Sequence, residues 1–215
     1  MIRAFLALEP SPELQAQFAP IQQELQRVME LEGKRDVRIA WVQPAKIHLT
    51  LKFLGDMDEQ VIEPLRMALE RTIGSQRALN LPLERVGVFP RLQSPRILWI
   101  GPSENWEKGA EAKRITEIHV AIEQTCEGLS FLREAKPFSP HLTLARIKAG
   151  ERHVGVALTQ CGVLDRSLSM GSLAVGSVVL MKSELKQTGS VYTKLWEVRM
   201  RAGGQVSSLL AERAR

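Results

Sequence analysis

The chain is poor in several residue types whose absence is informative. Among 215 residues there are two cysteines, one tyrosine and four histidines, and aromatic side chains make up 5%. Cys126 and Cys161 are too few for a disulfide framework and are not spaced as a metal pair, so both are expected as reduced thiols. No uninterrupted apolar run approaches the roughly 18 residues that span a bilayer, so no membrane partner is expected. The opening MIRAFLALEPSPEL has a short apolar run and no small-residue cleavage site. It is expected to be a first strand in a cytoplasmic protein, not a secretion signal. Neither GxGxxG nor GxxxxGK[ST] occurs, which removes the Rossmann and P-loop nucleotide sites. With so few aromatics, extensive base stacking is not expected.

What is present is ordinary in bulk: 44% apolar, 25% charged, with a formal net charge of +5 that favours polyanionic partners. Ile2 to Leu8 reads as a buried strand. Ser11-Pro12-Glu13 offers an N-cap with proline at the first helical position. Leu14, Phe18, Ile21, Leu25 and Val28 then mark an amphipathic helix that Gly33 closes. Val37 to Val42 and Ile47 to Gly55 read as strands. Asp58 caps a helix reaching Ile73, with Pro64 kinking it or delaying its start. Leu79 to Phe89 and Arg96 to Ile100 read as a strand pair joined by the Pro90 to Pro95 loop. Trp106 to Leu132 reads as one long helix. A strand starts near His141, Lys148 to Gly171 leaves room for a short helix between loops, and Val175 to Lys182 with Val191 to Met200 closes the sheet. Paired neighbouring strands with helices between them predict an α+β protein with largely antiparallel sheets. We expect one bilobal domain over 1–200 and a charged tail over 201–215.

One signal stands out. His48-Leu49-Thr50-Leu51 recurs unaltered as His141-Leu142-Thr143-Leu144. Chance would place threonine two positions after two of four histidines in about one chain in a hundred of this composition. Side chains alternate along a strand, so His48 and Thr50 face one way while Leu49, Leu51 and Phe53 face the core. Two such rows facing each other would line a groove with two imidazoles and two hydroxyls, each lobe of a pseudo-symmetric protein supplying one row. Two imidazoles near pKa ~6.5 can hold opposite protonation states at neutral pH. Threonine hydroxyls can donate to non-bridging phosphate oxygens. No carboxylate accompanies either motif and the spacing is not that of metal ligands, so no metal or other cofactor is expected. In-line displacement at a phosphodiester needs those two proton transfers. The other histidines, His119 and His153, lack the pattern and are expected in ordinary solvated or helix-flank positions.

The paired HLTL motifs resemble those of the two-histidine (2H) phosphoesterases, in particular the RNA 2′,3′-cyclic phosphodiesterases of the ThpR/LigT-like, 2′-5′ RNA ligase group. IRAFLALEPSPEL, RIAWVQPAKIHLTLKFLGDM, GVFPRLQSPRILWIG, KPFSPHLTLARIK and the late MKSEL carry the likeness in order over about residues 1–200. The resemblance implies a bilobal α+β fold with two antiparallel sheets and outer helices enclosing a central cleft. It implies hydrolysis of RNA 2′,3′-cyclic ends to a 2′-phosphomonoester, with His48 as proton donor, His141 as proton acceptor and Thr50 and Thr143 holding the phosphate. RNA 3′ ends or 2′,3′-cyclic nucleotides are the implied partners, and a monomer is expected.

Four further residues are candidates for substrate contact. Lys52 shares the His48 face by period-two counting, and a solvated lysine is an equal reading. Arg146 resembles a family arginine, yet alternation puts it opposite His141 unless a bulge redirects it. Arg96 begins a strand at the expected cleft edge. Phe138 is a core residue first and a base-stacking candidate second. Two competing functions stay open: 2′-5′ RNA ligation, the chemical reverse, and noncatalytic binding of RNA ends, which would be strongly salt-dependent without turnover.

Overall fold

The computed structural model describes residues 1–31, 36–187 and 189–202. Gly33 and the tail from residue 203 therefore lie outside the described residues. In chain order the elements are β1 (Ile2–Leu8), α1 (Pro12–Leu31), β2 (Arg38–Trp41), β3 (Leu49–Met57), α2 (Ile62–Ile73), β4 (Leu79–Pro82) and β5 (Arg85–Phe89). There follow β6 (Ile97–Gly101), α3 (Glu104–Glu107), α4 (Ala110–Glu127), β7 (Leu142–Ala149), α5 (Glu151–Gln160), β8 (Ser172–Val175), β9 (Ser177–Lys186) and β10 (Gly189–Arg199).

Local chemistry accounts for most boundaries. Ser11 Oγ accepts the amide of Leu14 at 3.3 Å, and Pro12 opens α1, whose Leu14, Phe18, Ile21 and Leu25 are buried. Asp58 Oδ1 accepts from the Gln60 amide at 3.0 Å and caps a 3-10 turn, Glu59–Val61. Pro64 then falls within the first turn of α2, where a missing N–H costs nothing. Three boundaries differ from expectation, one of them at Val175, which ends β8 while the closing strand β9 starts at Ser177. Leu79 to Phe89 is not one strand: Pro82, without an N–H to donate, ends β4, which pairs with β8, and the chain crosses to pair β5 with β6. The long helix is broken by Gly109 into α3 and α4 and stops at Glu127. Ile115, Ile118, Ile122 and Cys126 keep their buried stripe.

The main sheet has eight strands in the order β10-β9-β1-β3-β7-β6-β5, with β2 also pairing with β7, and it stays open. It is two antiparallel halves, β10-β9-β1-β3 and β5-β6-β7-β2, joined between β3 and β7 by the single pair Leu49↔Leu142. The lobes are interleaved along the chain and not consecutive. Helix α1 follows a first-lobe strand but is bonded to the second lobe, where Gln22 Nε2 donates to Val42 O and Leu144 O at 2.7 and 2.9 Å. Helix α4 follows second-lobe strands but is bonded to the first, where His119 Nε2 meets Leu51 O at 3.0 Å. This exchange gives each sheet a helix to cover its apolar face, and one continuous core runs beneath both lobes.

Candidate active site

Leu49 and Leu142, each the second residue of its HLTL motif, form the pair at which β3 meets β7. Residues opposed across an antiparallel pair share a face, and neighbours along a strand alternate. The register therefore carries His48 beside Thr143 and Thr50 beside His141, all four on the face opposite the fully buried leucines. The four side chains line one cavity of about 60 Å³ together with Lys46, Arg146 and Tyr192. The lobes diverge beyond this junction, where β2 pairs with β7 from Ala145 onward.

Both imidazoles are held in the same way. The Nδ1 of His48 lies 2.8 Å from Lys46 O, and that of His141 lies 2.7 Å from Ser139 O. A carbonyl can only accept, so each ring carries its proton on Nδ1 when neutral and leaves Nε2 free for chemistry. His48 stacks on Phe5 at 4.8 Å and meets the Tyr192 edge at 5.3 Å. His141 meets Phe89 edge-on at 4.9 Å and Trp99 at 6.2 Å. Gly87 is required here, because a Cβ at that position would meet the Trp99 ring at 2.1 Å.

Burial pushes both histidines below the ordinary 6.5, since a charged ring loses its water. The backbone carbonyls oppose this, and the Arg146 guanidinium adds to it in both. The rings differ in one respect: Glu9 pulls His48 back up, and no carboxylate does the same for His141.

The strand alternation fails just after each motif, for one reason. In β3 the partners of Leu6 and Ala7 are Lys52 and Thr50, so Leu51 is the extra residue of a bulge. In β7 the partners of Leu98 and Trp99 are Ala145 and Thr143, so Leu144 is the extra residue there. A bulge reverses the facing of everything after it. Arg146 is thereby returned to the Thr143 face, lining the cavity with both histidines. The same shift takes Lys52 away from the cleft, contrary to the expectation for it. Its ammonium is buried, bonded to Glu123 Oε1 and Oε2 at 2.9 and 2.8 Å and to Leu132 O at 2.8 Å. Phe53, expected in the core, is instead 62% exposed and lines the cleft.

Arg96 stands just before β6 and lines a neighbouring space with Arg146, not the histidine cavity. Phe138 does not enter that cavity either. It stacks on His119 at 4.1 Å and borders a separate 510 Å³ cleft with Trp106. His119, expected in a solvated or flanking position, is buried at 8% exposure because it caps the bulge carbonyl of Leu51. His153 is half-buried on α5. Sequence reasoning missed Phe53 and Tyr192. In TLARIK the adjacent apolar pair Leu144-Ala145 reveals the phase change, whereas LKFL in the first copy conceals it. Nothing local marks Tyr192, which reaches the site from β10. Among the described residues no group of three or more metal-ligating side chains converges, and no helix is long and apolar enough to cross a membrane.

The model of the family described as LigT like Phosphoesterase matches residues 8–99 and 108–192. The chain belongs to this family. An RNA 2′,3′-cyclic phosphodiesterase from Aeropyrum pernix is 30% identical over 85% of this chain and 98% of its own length. One from Aquifex aeolicus is 30% identical over 92% and 96%. Among solved structures, TT0787 of Thermus thermophilus aligns with a TM-score of 0.66 at 27% identity, over 94% of this chain and 99% of that one. Apo LigT from E. coli shares the fold, with a TM-score of 0.67 at 21% identity over 93% and 97%.

Proposed function

We propose that the protein hydrolyses the 2′,3′-cyclic phosphodiester of RNA ends to a 2′-phosphomonoester, without metal, using the two histidines as acid and base. The observation that carries this reading is the matched pair of imidazoles, each with Nδ1 tied to a carbonyl, opening on one cavity with two threonines and an arginine. Family membership and relatives named for this activity support it. His141 Nε2 takes a proton from water as the water oxygen attacks phosphorus. The bond from phosphorus to the 3′ oxygen breaks, and His48 delivers its Nε2 proton to that oxygen. Glu9 favours the protonated form of His48 alone, which supports the donor role for that ring. Thr50, Thr143 and Arg146 hold the non-bridging oxygens where negative charge accumulates. Phe53 and Tyr192 offer aromatic surface to the base beside them. Both histidines come from one chain, so a monomer suffices, and the cytoplasm is the compartment the reading implies.

The test is product analysis on a nucleoside 2′,3′-cyclic phosphate in excess EDTA. Ring opening to the 2′-phosphate is expected, with His48→Ala and His141→Ala each slower by roughly 10²–10⁴ or more. A 3′-phosphate product, loss of turnover in chelator, or a normal rate in either variant overturns the scheme.

A further inference from the structure

Arg146 borders three adjoining spaces of different chemistry. One is the histidine cavity. The second, about 310 Å³, lies against the first lobe, where Phe53, Leu185 and Tyr192 supply apolar and aromatic surface. The third, about 390 Å³, lies over β6 and β7 and is lined by Arg96, Ile97, Arg146, Ile147, Lys148 and Glu151. It has no aromatic lining. Three cations line it against one carboxylate, and none of the three is among the ion pairs of the described residues. Arg146 and Lys148 stand two apart on the exposed face of β7, and Arg96 reaches the same space from the entry to β6. Keeping like charges together without partners is unfavourable unless an anion offsets them.

A cyclic end of RNA has three parts that need different surroundings: a base, the cyclic phosphate, and the phosphodiester on the 5′ side of the same nucleotide. The ring closes the 3′ side, so the 5′ phosphodiester is the nearest second anion. The three spaces around Arg146 match these parts in chemistry. We propose that the Arg96–Arg146–Lys148 pocket receives the phosphodiester 5′ of the terminal nucleotide, so that RNA chain ends are better substrates than isolated cyclic nucleosides. This rests on the proposed function, since it presupposes a cyclic phosphate between the histidines. Arg146 then touches both anions and sets their spacing, while Lys148 and Arg96 complete the second site.

The experiment compares adenosine 2′,3′-cyclic phosphate carrying a 5′-hydroxyl with the same compound carrying a 5′-phosphate. At low salt kcat/KM should be on the order of tenfold higher for the 5′-phosphorylated form, the worth of one hydrogen bond to a charged group. The ratio should fall toward one as salt rises. Lys148→Glu should lower the ratio and Glu151→Lys should raise it. Because each ratio is taken within one protein, a loss of folded enzyme cancels. A ratio near one for the unaltered protein, or a ratio indifferent to both substitutions, overturns the subsite and leaves the proposed function standing. If neither compound is opened, the proposed function falls and the subsite falls with it.

Discussion

Each histidine of the cavity is oriented by what its Nδ1 does. With Nδ1 bonded to Lys46 O or Ser139 O, both rings offer Nε2, and beyond their different aromatic neighbours the two differ in the charge beside them. Glu9, which is ion-paired with Lys194, acts on His48 and not on His141. The pH dependence of kcat/KM reports the free enzyme, in which burial holds both rings below 6.5. A bell with its maximum on the acid side of 6.5 is therefore expected. Under the proposed roles its alkaline limb is the donor losing its proton and its acid limb the acceptor gaining one. Glu9→Gln removes the charge that raises His48, so the alkaline limb should move to lower pH while the acid limb stays in place. Movement of the acid limb instead would make His48 the ring of lower pKa, and Glu9 would then lend no support to its donor role.

The elements around the site depend on groups that cannot be placed by counting along a strand. At each bulge the carbonyl of the extra residue accepts from a buried polar side chain of a helix: His119 of α4 at Leu51 O, and Gln22 of α1 at Leu144 O, which also accepts the Val42 amide at 3.0 Å. Lys52, bonded to Glu123 and Leu132 O, ties the end of the first motif to the segment that leads toward His141. Glu123 also accepts from the Glu134 amide at 3.3 Å. Removing the cation alone strands a carboxylate that is 4% exposed. Lys52→Met should thus cost about 3–5 kcal/mol in urea unfolding, and Lys52→Met with Glu123→Leu should recover most of it. If the double substitution is no better than the single one, the stranded charge is not the cause. The strands and helices were largely legible from period and caps, because Leu49, Leu51, Leu142 and Leu144 repeat where burial requires them. The facing of Lys52, Phe53 and Arg146 was not, because one inserted residue reverses the pattern and only the tertiary pairing reveals it. Tyr192 and the exchange of α1 and α4 between lobes were hidden for the same reason, being contacts between distant parts of the chain.

At the scale of the molecule, two lobes meet at the Leu49↔Leu142 pair, and charge at that junction is a stability matter. His48, His119 and His141 are all lowered, chiefly by burial, so the folded state keeps them neutral where the unfolded chain, near 6.5, is already taking up protons. In the window beneath 6.5 the unfolded state binds more protons, so stability is complete above 6.5 and is lost as pH falls through the folded values. Melting temperature followed by circular dichroism should be level from pH 8 to about 7 and decline below 6.5. Protonating both cavity rings sets two imidazoliums beside Arg146 around a 60 Å³ space, an arrangement that an anion relieves. Millimolar inorganic phosphate should accordingly make the decline shallower, by favouring the charged rings in the folded state, while chloride at equal ionic strength should not. His119 lies outside the cavity, so part of the decline should persist at saturating phosphate. A melting temperature that stays level through the whole window would mean that these rings are not held neutral by burial, and the acid-shifted bell would lose its basis as well.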